Sequence, residues 1–209
     1  SYSIVIPARF DSKRLSGKAL KDINGKTMIE RAYESALGSQ AAEIIIATDS
    51  EKIKDVCKKF GAKCLITSSE HKSGTDRVNE VAVIENWSDE MIIVNLQGDN
   101  ALMPSRNIDQ VAKLLFDNPA YSIATLATNF LSKDEEADEN AVKVFIDKET
   151  DEAITFKRQL KSYGNTSVNY MRHRGIYAYT RSSLRTFSDS EPSIEEGKEN
   201  MKIWDVDKQ

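Results

Sequence analysis

Cysteine is nearly missing from this sequence: Cys57 and Cys64 are the only two in 209 residues. One lies in a helix-like apolar stretch and the other in a strand-like one, without metal-site spacing. A disulfide framework is thereby excluded, and core thiols in a reducing compartment are expected. Histidine is equally scarce. His71 and His173 stand far apart with no ligand-spaced partners, which argues against a zinc site. No apolar run approaches the length of a membrane span, and the start carries no signal-peptide pattern, so a cytoplasmic protein without a membrane partner is expected. Excess positive charge is lacking too: the formal net charge is -4, which argues against general affinity for nucleic acid or an anionic membrane. Neither a Walker glycine loop, a dinucleotide fingerprint nor a nucleophile elbow occurs, and covalent catalysis is disfavoured. There is no internal repeat or low-complexity segment.

What is present begins at Ser3–Leu20, SIVIPARFDSKRLSGKAL. A short β-branched run, Ile4-Val5-Ile6, stops at Pro7 and opens into a loop carrying Arg9, Lys13, Arg14 and Lys18 around Gly17. Such a loop, leaving the carboxyl end of a strand, suits a polyphosphate: its cations offset the charge and its arginines can grip phosphate oxygens in pairs. Composition alone favours a plain solvated basic loop, and the rest of the chain shifts the balance.

The length fits one large domain, with residues 1–128 as a nucleotide-binding α/β core and 129–209 as a β-rich part of the same domain. Asn24-Gly25 marks a turn, and Thr27 and Glu30 have capping-box spacing before a helix that ends at Gly38. Glu43–Thr48 and Lys63–Ile66 read as strands flanking a helix lined by Ile53, Val56, Cys57 and Phe60 that stops at Gly61. The polar stretch Thr67–Arg77 leads into a helix with Val78, Val81, Ala82 and Ile84 facing inward. Met91–Leu96 is a strand, and Ile108, Val111, Leu114 and Leu115 mark another helix. This alternation predicts a mostly parallel sheet covered on both faces. After Tyr121 strands dominate: Ser122–Ala127, Ala141–Asp147, Glu152–Phe156 and Tyr170–Tyr179, with Ser132–Glu139 as an acidic, solvated stretch. Lys157–Ser167 is a long polar connection, and Arg181–Phe187 is a short helix.

Three loops, Pro7–Lys18, His71–Arg77 and Gln97–Asn100, each follow a predicted parallel strand, so they meet on one sheet edge. The first supplies cations, and Ser73-Gly74-Thr75 supplies small hydroxyl and backbone donors. Asp99 supplies a carboxylate suited to a magnesium ion shared with phosphate oxygens, or to a simple turn. With no nucleophile in sight, direct nucleotidyl transfer to a substrate hydroxyl is the chemistry these loops fit.

Taken together, IPARFDSKRLSGKAL, INGKTMIERAYE, IIIATDSEKI, SGTDRVNEV, IVNLQGD, NAVKVFID and RHRGIYAYTRSSL resemble the 3-deoxy-manno-octulosonate (KDO) cytidylyltransferase family, in order from about Ser3 to Phe187. The resemblance implies a nucleotide-diphospho-sugar transferase-like α/β fold, a homodimer, and magnesium-dependent coupling of CTP to KDO with release of pyrophosphate for lipopolysaccharide assembly. It assigns Arg9 and Lys18, with Arg14 beside them, to the triphosphate, and Pro7 and Ala8 to nucleotide binding. Ser73, Gly74, Thr75, Arg77 and Gln97 fall to the cytidine pocket. Asp99 takes the metal, with Arg9, Lys18 and Asp99 as the catalytic set. Gln97, Arg158, His173, Tyr177 and Glu195 fall to the sugar acid, and Asp207 matches a second metal ligand.

The chain departs from that pattern in four places. Ser16 stands where the family has proline, and Asn100-Ala101 where it has glutamate-proline. The GVDTPEDL segment is reduced to residues 205–209, and the LEQLR helix is not recognisable in Ile194–Ile203. Either flexible segments are missing from the chain, or it uses an altered acceptor such as 8-amino-KDO. Two further readings stay open: a synthetase for another sugar acid, and a non-catalytic nucleotide-binding homologue.

Overall fold

A computed structural model describes residues 1–11, 16–159, 167–189 and 201–205. The first half alternates strand and helix: β1 (Tyr2–Ala8), the two-residue strands β2 (Asp22–Ile23) and β3 (Lys26–Thr27), α1 (Met28–Leu37), β4 (Glu43–Thr48), α2 (Glu51–Lys59), β5 (Lys63–Ile66), α3 (Gly74–Ile84), β6 (Ile92–Leu96) and α4 (Ser105–Asp117). The second half continues with β7 (Ile123–Thr128), α5 (Lys133–Ala137), β8 (Lys143–Asp147), β9 (Ala153–Lys157), β10 (Val168–Thr180), α6 (Arg181–Asp189) and β11 (Met201–Asp205).

The main sheet runs β11-β7-β10-β6-β1-β4-β5, with β8 and β9 branching from β10. Pairings β1–β4, β1–β6, β4–β5 and β7–β11 are parallel, whereas β10 runs antiparallel to β6, β7 and β8. The sheet is therefore mixed, with a parallel half and an antiparallel extension. β10 and β11, both after residue 129, lie within this main sheet.

Alternation along the strands sorts the core into two faces. Ile4, Ile6 and Ile46 join Ile29 of α1, Ile53 of α2 and Ile108 of α4, all fully buried. Val5, Ile45 and Ile93 face α3, through Val78 and Val81, and Leu184 of α6. Each such side chain removed from water contributes about 1.5–3 kcal/mol. Local signals agree: Asn24-Gly25 turns β2 into β3, and Thr27 Oγ1 accepts the Glu30 amide at 3.3 Å to start α1.

Three expectations need correction. The first strand does not stop at Pro7 but runs to Ala8; Pro7 pairs with Ala47 of β4 where the β6 ladder, last matched at Val5–Asn95, has already ended. Ile84 is 49% exposed rather than core, because it closes α3 on the outer face. The sixth strand begins at Ile92, one residue late. The acidic stretch after Ser132 is solvated as expected and forms a helical turn, α5, whose Glu135 pairs with Arg172 and whose Glu136 accepts from Tyr170.

Candidate functional site

The carboxyl ends of β1 and β6 and the first turn of α3 enclose a cavity of about 380 Å³. Pro7, Ala8, Arg9 and Lys18 line it from the basic loop, Gly74 and Arg77 from α3, and Gln97, Gly98 and Asp99 from the β6 loop. Although α3 follows β5, it crosses back over β1, which carries Gly74 to Pro7 and Gln97: a Cβ there would lie 3.4 Å from Pro7 Cγ and 3.7 Å from the Gln97 amide. Only a residue without a side chain leaves that gap open.

The basic loop closes on itself. Gly17 N donates to Phe10 O at 2.8 Å, and Ser16, where proline was expected, donates its hydroxyl to Asp11 at 2.8 Å. Arg9 Nη2 donates to the Lys72 carbonyl at 2.5 Å, gripping the residue just before the α3 cap. Arg14 lies outside the described residues.

Ser73 caps α3 in a reciprocal box with Asp76: its hydroxyl accepts the Asp76 amide at 3.1 Å, and the Asp76 carboxylate accepts Ser73 N at 2.9 Å. Its hydroxyl is thus committed to the helix. Arg77 is wholly buried. Its Nη2 donates to Asp49 Oδ2 at 2.9 Å and its Nη1 to Thr67 Oγ1, while Nε has no partner. Burial lowers the guanidinium pKa and Asp49 pulls it back up. Thr75 hydrogen-bonds Tyr179, whose hydroxyl burial pushes up to about 12.

At the end of β6, Asn95 Oδ1 accepts Gln97 Nε2 at 3.2 Å and so fixes the carboxamide. Gly98 packs on the Pro7 backbone, where a Cβ would meet the carbonyl oxygen at 3.1 Å. Asp99 sits in a turn closed by Asn100 N on Gln97 O at 2.8 Å, but its carboxylate points out: it is 53% exposed and takes Lys18 Nζ at 2.8 Å. The described residues hold no cluster of three metal-ligating side chains. One open carboxylate beside a cationic loop fits magnesium held jointly with phosphate oxygens.

His173, Tyr177 and Arg158 do not line this cavity. They belong to the antiparallel extension, reached across Asn95, which pairs with Tyr177. Between His173 and Tyr177 the β10 register slips: four residues of β10 advance against two of β7, from Ala127 to Thr125. Gly175 supplies the bulge at φ 65°. The bulge brings the His173 ring to 5.2 Å from Tyr177, in a row with Phe156 at 5.0 Å. Two successive bulge carbonyls are held by side chains, Gly175 O by Asn100 Nδ2 at 3.3 Å and Ile176 O by Thr125 Oγ1 at 2.6 Å. Because Thr125 spends its proton there, His173 Nε2, 3.0 Å from that oxygen, must be the donor. Burial, with Arg174 beside it, lowers the His173 pKa to about 4, so the ring is neutral at pH 7. Arg158 reaches the Glu139 carbonyl at 3.3 Å, and its own carbonyl accepts from the buried Lys143 at 2.9 Å. Glu195 and Asp207 lie outside the described residues.

Two other hollows, of about 430 Å³ beside Tyr2 and Asp109 and about 550 Å³ outside Asp49 and Lys52, are as roomy. The first opens at the amino ends of the strands, and the second offers more acids than bases. Sequence reasoning overlooked Asp49, Asn95, Gly98, Thr125 and Lys143, whose roles arise from contacts between distant segments. The strand-end position of Asp49, directly after Thr48, was the one signal available.

The sequence pattern of the cytidylyltransferase family matches residues 3–203. A protein of Francisella philomiragia named 3-deoxy-manno-octulosonate cytidylyltransferase is 41% identical over 193 residues, 89% of this chain and 77% of its own length. One of the same name from Vibrio vulnificus is 41% identical over 201 residues, 92% of this chain and 80% of its own. A solved CMP:2-keto-3-deoxy-manno-octonic acid synthetase complexed with CTP superimposes with TM-score 0.86 at 35% identity, covering 99% of this chain and 90% of that one.

Proposed function

The chain belongs to the 3-deoxy-manno-octulosonate cytidylyltransferase family, and from that membership we propose that it couples CTP to an octulosonate, KDO or its 8-amino relative, releasing pyrophosphate. The carrying observation is the convergence of Arg9, Lys18, Gly74, Gln97 and Asp99 on one cavity at the carboxyl edge of the sheet.

In this reading the anomeric hydroxyl of the sugar acid attacks the α-phosphorus of CTP and loses its proton to water. A new P–O bond forms as the bond to the β-phosphate oxygen breaks, and pyrophosphate leaves with the electron pair. Arg9, Lys18 and Arg14 hold the triphosphate and stabilise the charge on the leaving group. Pro7, Ala8, Gly74, Thr75 and Gln97 shape the cytidine pocket, with Ser73 and Arg77 holding the helix that presents it. Magnesium, held by Asp99 with Asp207 as candidate second ligand, would neutralise charge across the phosphate oxygens. Gln97, Arg158, His173, Tyr177 and Glu195 receive the sugar acid. His173, neutral with its proton on Nε2, keeps Nδ1 free to accept a hydrogen bond.

We extend the reading to a cytoplasmic homodimer serving lipopolysaccharide assembly. No described helix is long and apolar enough to cross a membrane. Leu131, 90% exposed beside the Phe130–Tyr170 ring pair, offers an apolar surface suited to a second copy. The 8-amino acceptor rests on the departure from the family pattern at Asn100-Ala101, since an altered polar contact fits a changed substrate hydroxyl. Pyrophosphate release from CTP and magnesium with each acceptor tests the assignment; release with neither contradicts it.

A further inference from the structure

Asp49 was assigned no role, yet its two carboxylate oxygens are used by different parts of the nucleotide cavity. Oδ1 accepts the backbone N–H of Phe10 at 3.1 Å, inside the basic loop. Oδ2 accepts Arg77 Nη2 at 2.9 Å, from the first turns of α3. Asp49 follows β4 and precedes Ser50, the N-cap position of α2, but its carboxylate bonds serve the loop and α3 rather than α2. A second grip lies alongside, where Arg9 donates to the Lys72 carbonyl one residue before the α3 cap.

We infer that Asp49 is a positioning residue for the nucleotide, a bridge that fixes the triphosphate-binding loop relative to the amides at the start of α3. This inference rests on the proposed reaction with CTP. The geometry gives it a mechanism. A triphosphate held by Arg9 and Lys18 and a base seated against Gly74 need a fixed separation between loop and helix, and misplacement by even an ångström weakens binding. Arg77 is wholly buried and cannot turn to solvent for another anion, so the bridge has one geometry rather than many. Thr67, which takes the other guanidinium arm, is anchored to Thr48 by its hydroxyl at 3.1 Å and its amide at 2.8 Å. The ends of β4 and β5 therefore back the same bridge.

The test compares the unmodified chain with Asp49→Asn and with Asp49→Asn combined with Arg77→Met, which removes both charges so that no buried guanidinium is left unpaired. CTP affinity is measured calorimetrically, the Phe10 amide by hydrogen exchange, the fold by thermal melting, and the KM for the sugar acid by pyrophosphate release. The single variant is expected to bind CTP about tenfold more weakly, the loss of one charge-assisted hydrogen bond, with faster Phe10 exchange and an unchanged sugar KM. The double variant is expected to recover melting temperature while remaining equally weak for CTP. Native CTP affinity in the folded double variant, or sugar and CTP constants shifting together, would overturn the bridge. If the unmodified chain itself fails to bind CTP, the cytidylyl reading falls and takes this inference with it, a result distinguishable because it appears in the control.

Discussion

Lys18 Nζ donates to Asp99 Oδ2 at 2.8 Å, joining a cation from the first loop to a carboxylate 81 positions later at the end of β6. Both side chains are more than a third exposed, so the pair itself adds at most about 1 kcal/mol to stability. Both charges lie at one cavity, and in the proposed reaction Lys18 would exchange its partner for a phosphate oxygen and Asp99 for a metal.

Asp99→Asn separates these tasks. Turnover is expected to fall about 10²–10³-fold, since the carboxylate proposed to hold magnesium against the reacting phosphates is removed, while CTP still binds without metal because Lys18 is freed. Steady-state rates and metal-free CTP titration check this, and a variant with native turnover would remove Asp99 from the chemistry.

Gly98→Ala probes the closest approach in the site. Its Cβ would stand 3.1 Å from the Pro7 carbonyl, and neither backbone can yield without moving the cavity wall. A loss of about 1–3 kcal/mol in denaturant unfolding is expected, together with weaker CTP binding. A variant as stable as the parent would show that the two loops are not in contact.

Gly175→Ala tests the bulge. At φ 65° a side chain costs about 1–2 kcal/mol, and relief by straightening β10 would part His173 from Tyr177. The sugar-acid KM is expected to rise while the CTP KM holds. Asn100→Ala, which frees the Gly175 carbonyl without straining the backbone, should shift the same constant in the same direction by less.

His173 sets a pH dependence. Its folded pKa lies near 4 against 6.5 for an unhindered ring. The unfolded chain therefore takes up this proton first as pH falls, so the stability tied to the neutral ring is complete above about 6.5 and is lost progressively down to about 4. Thermal melts across that window should slope less steeply for His173→Gln than for the parent. Equal slopes would mean that the ring titrates freely.

Much of the parallel half could be read directly. Ile4-Val5-Ile6, Glu43–Thr48 and Lys63–Ile66 are short apolar runs between clear turn signals, and Thr27 with Glu30 announces a helix start by local chemistry alone. The loops following such strands were legible as a shared edge for the same reason. The antiparallel extension was less so: the β10 bulge depends on cross-strand register, and Gly175 within GIYAY gives no local sign of it. Pro7 misled because its missing N–H matters only if a neighbour strand reaches it, which the order of strands decides. Arg77 looked like a ligand-binding cation from its place in SGTDR, and only the approach of Asp49 and Thr67 shows where its guanidinium is spent.

The most direct measurement is pyrophosphate release on mixing the chain with CTP, magnesium and KDO or 8-amino-KDO. The account predicts release in step with formation of the CMP-sugar for at least one of the two acids, dependent on both magnesium and acceptor. A chain that binds CTP yet releases no pyrophosphate with either acid would contradict it.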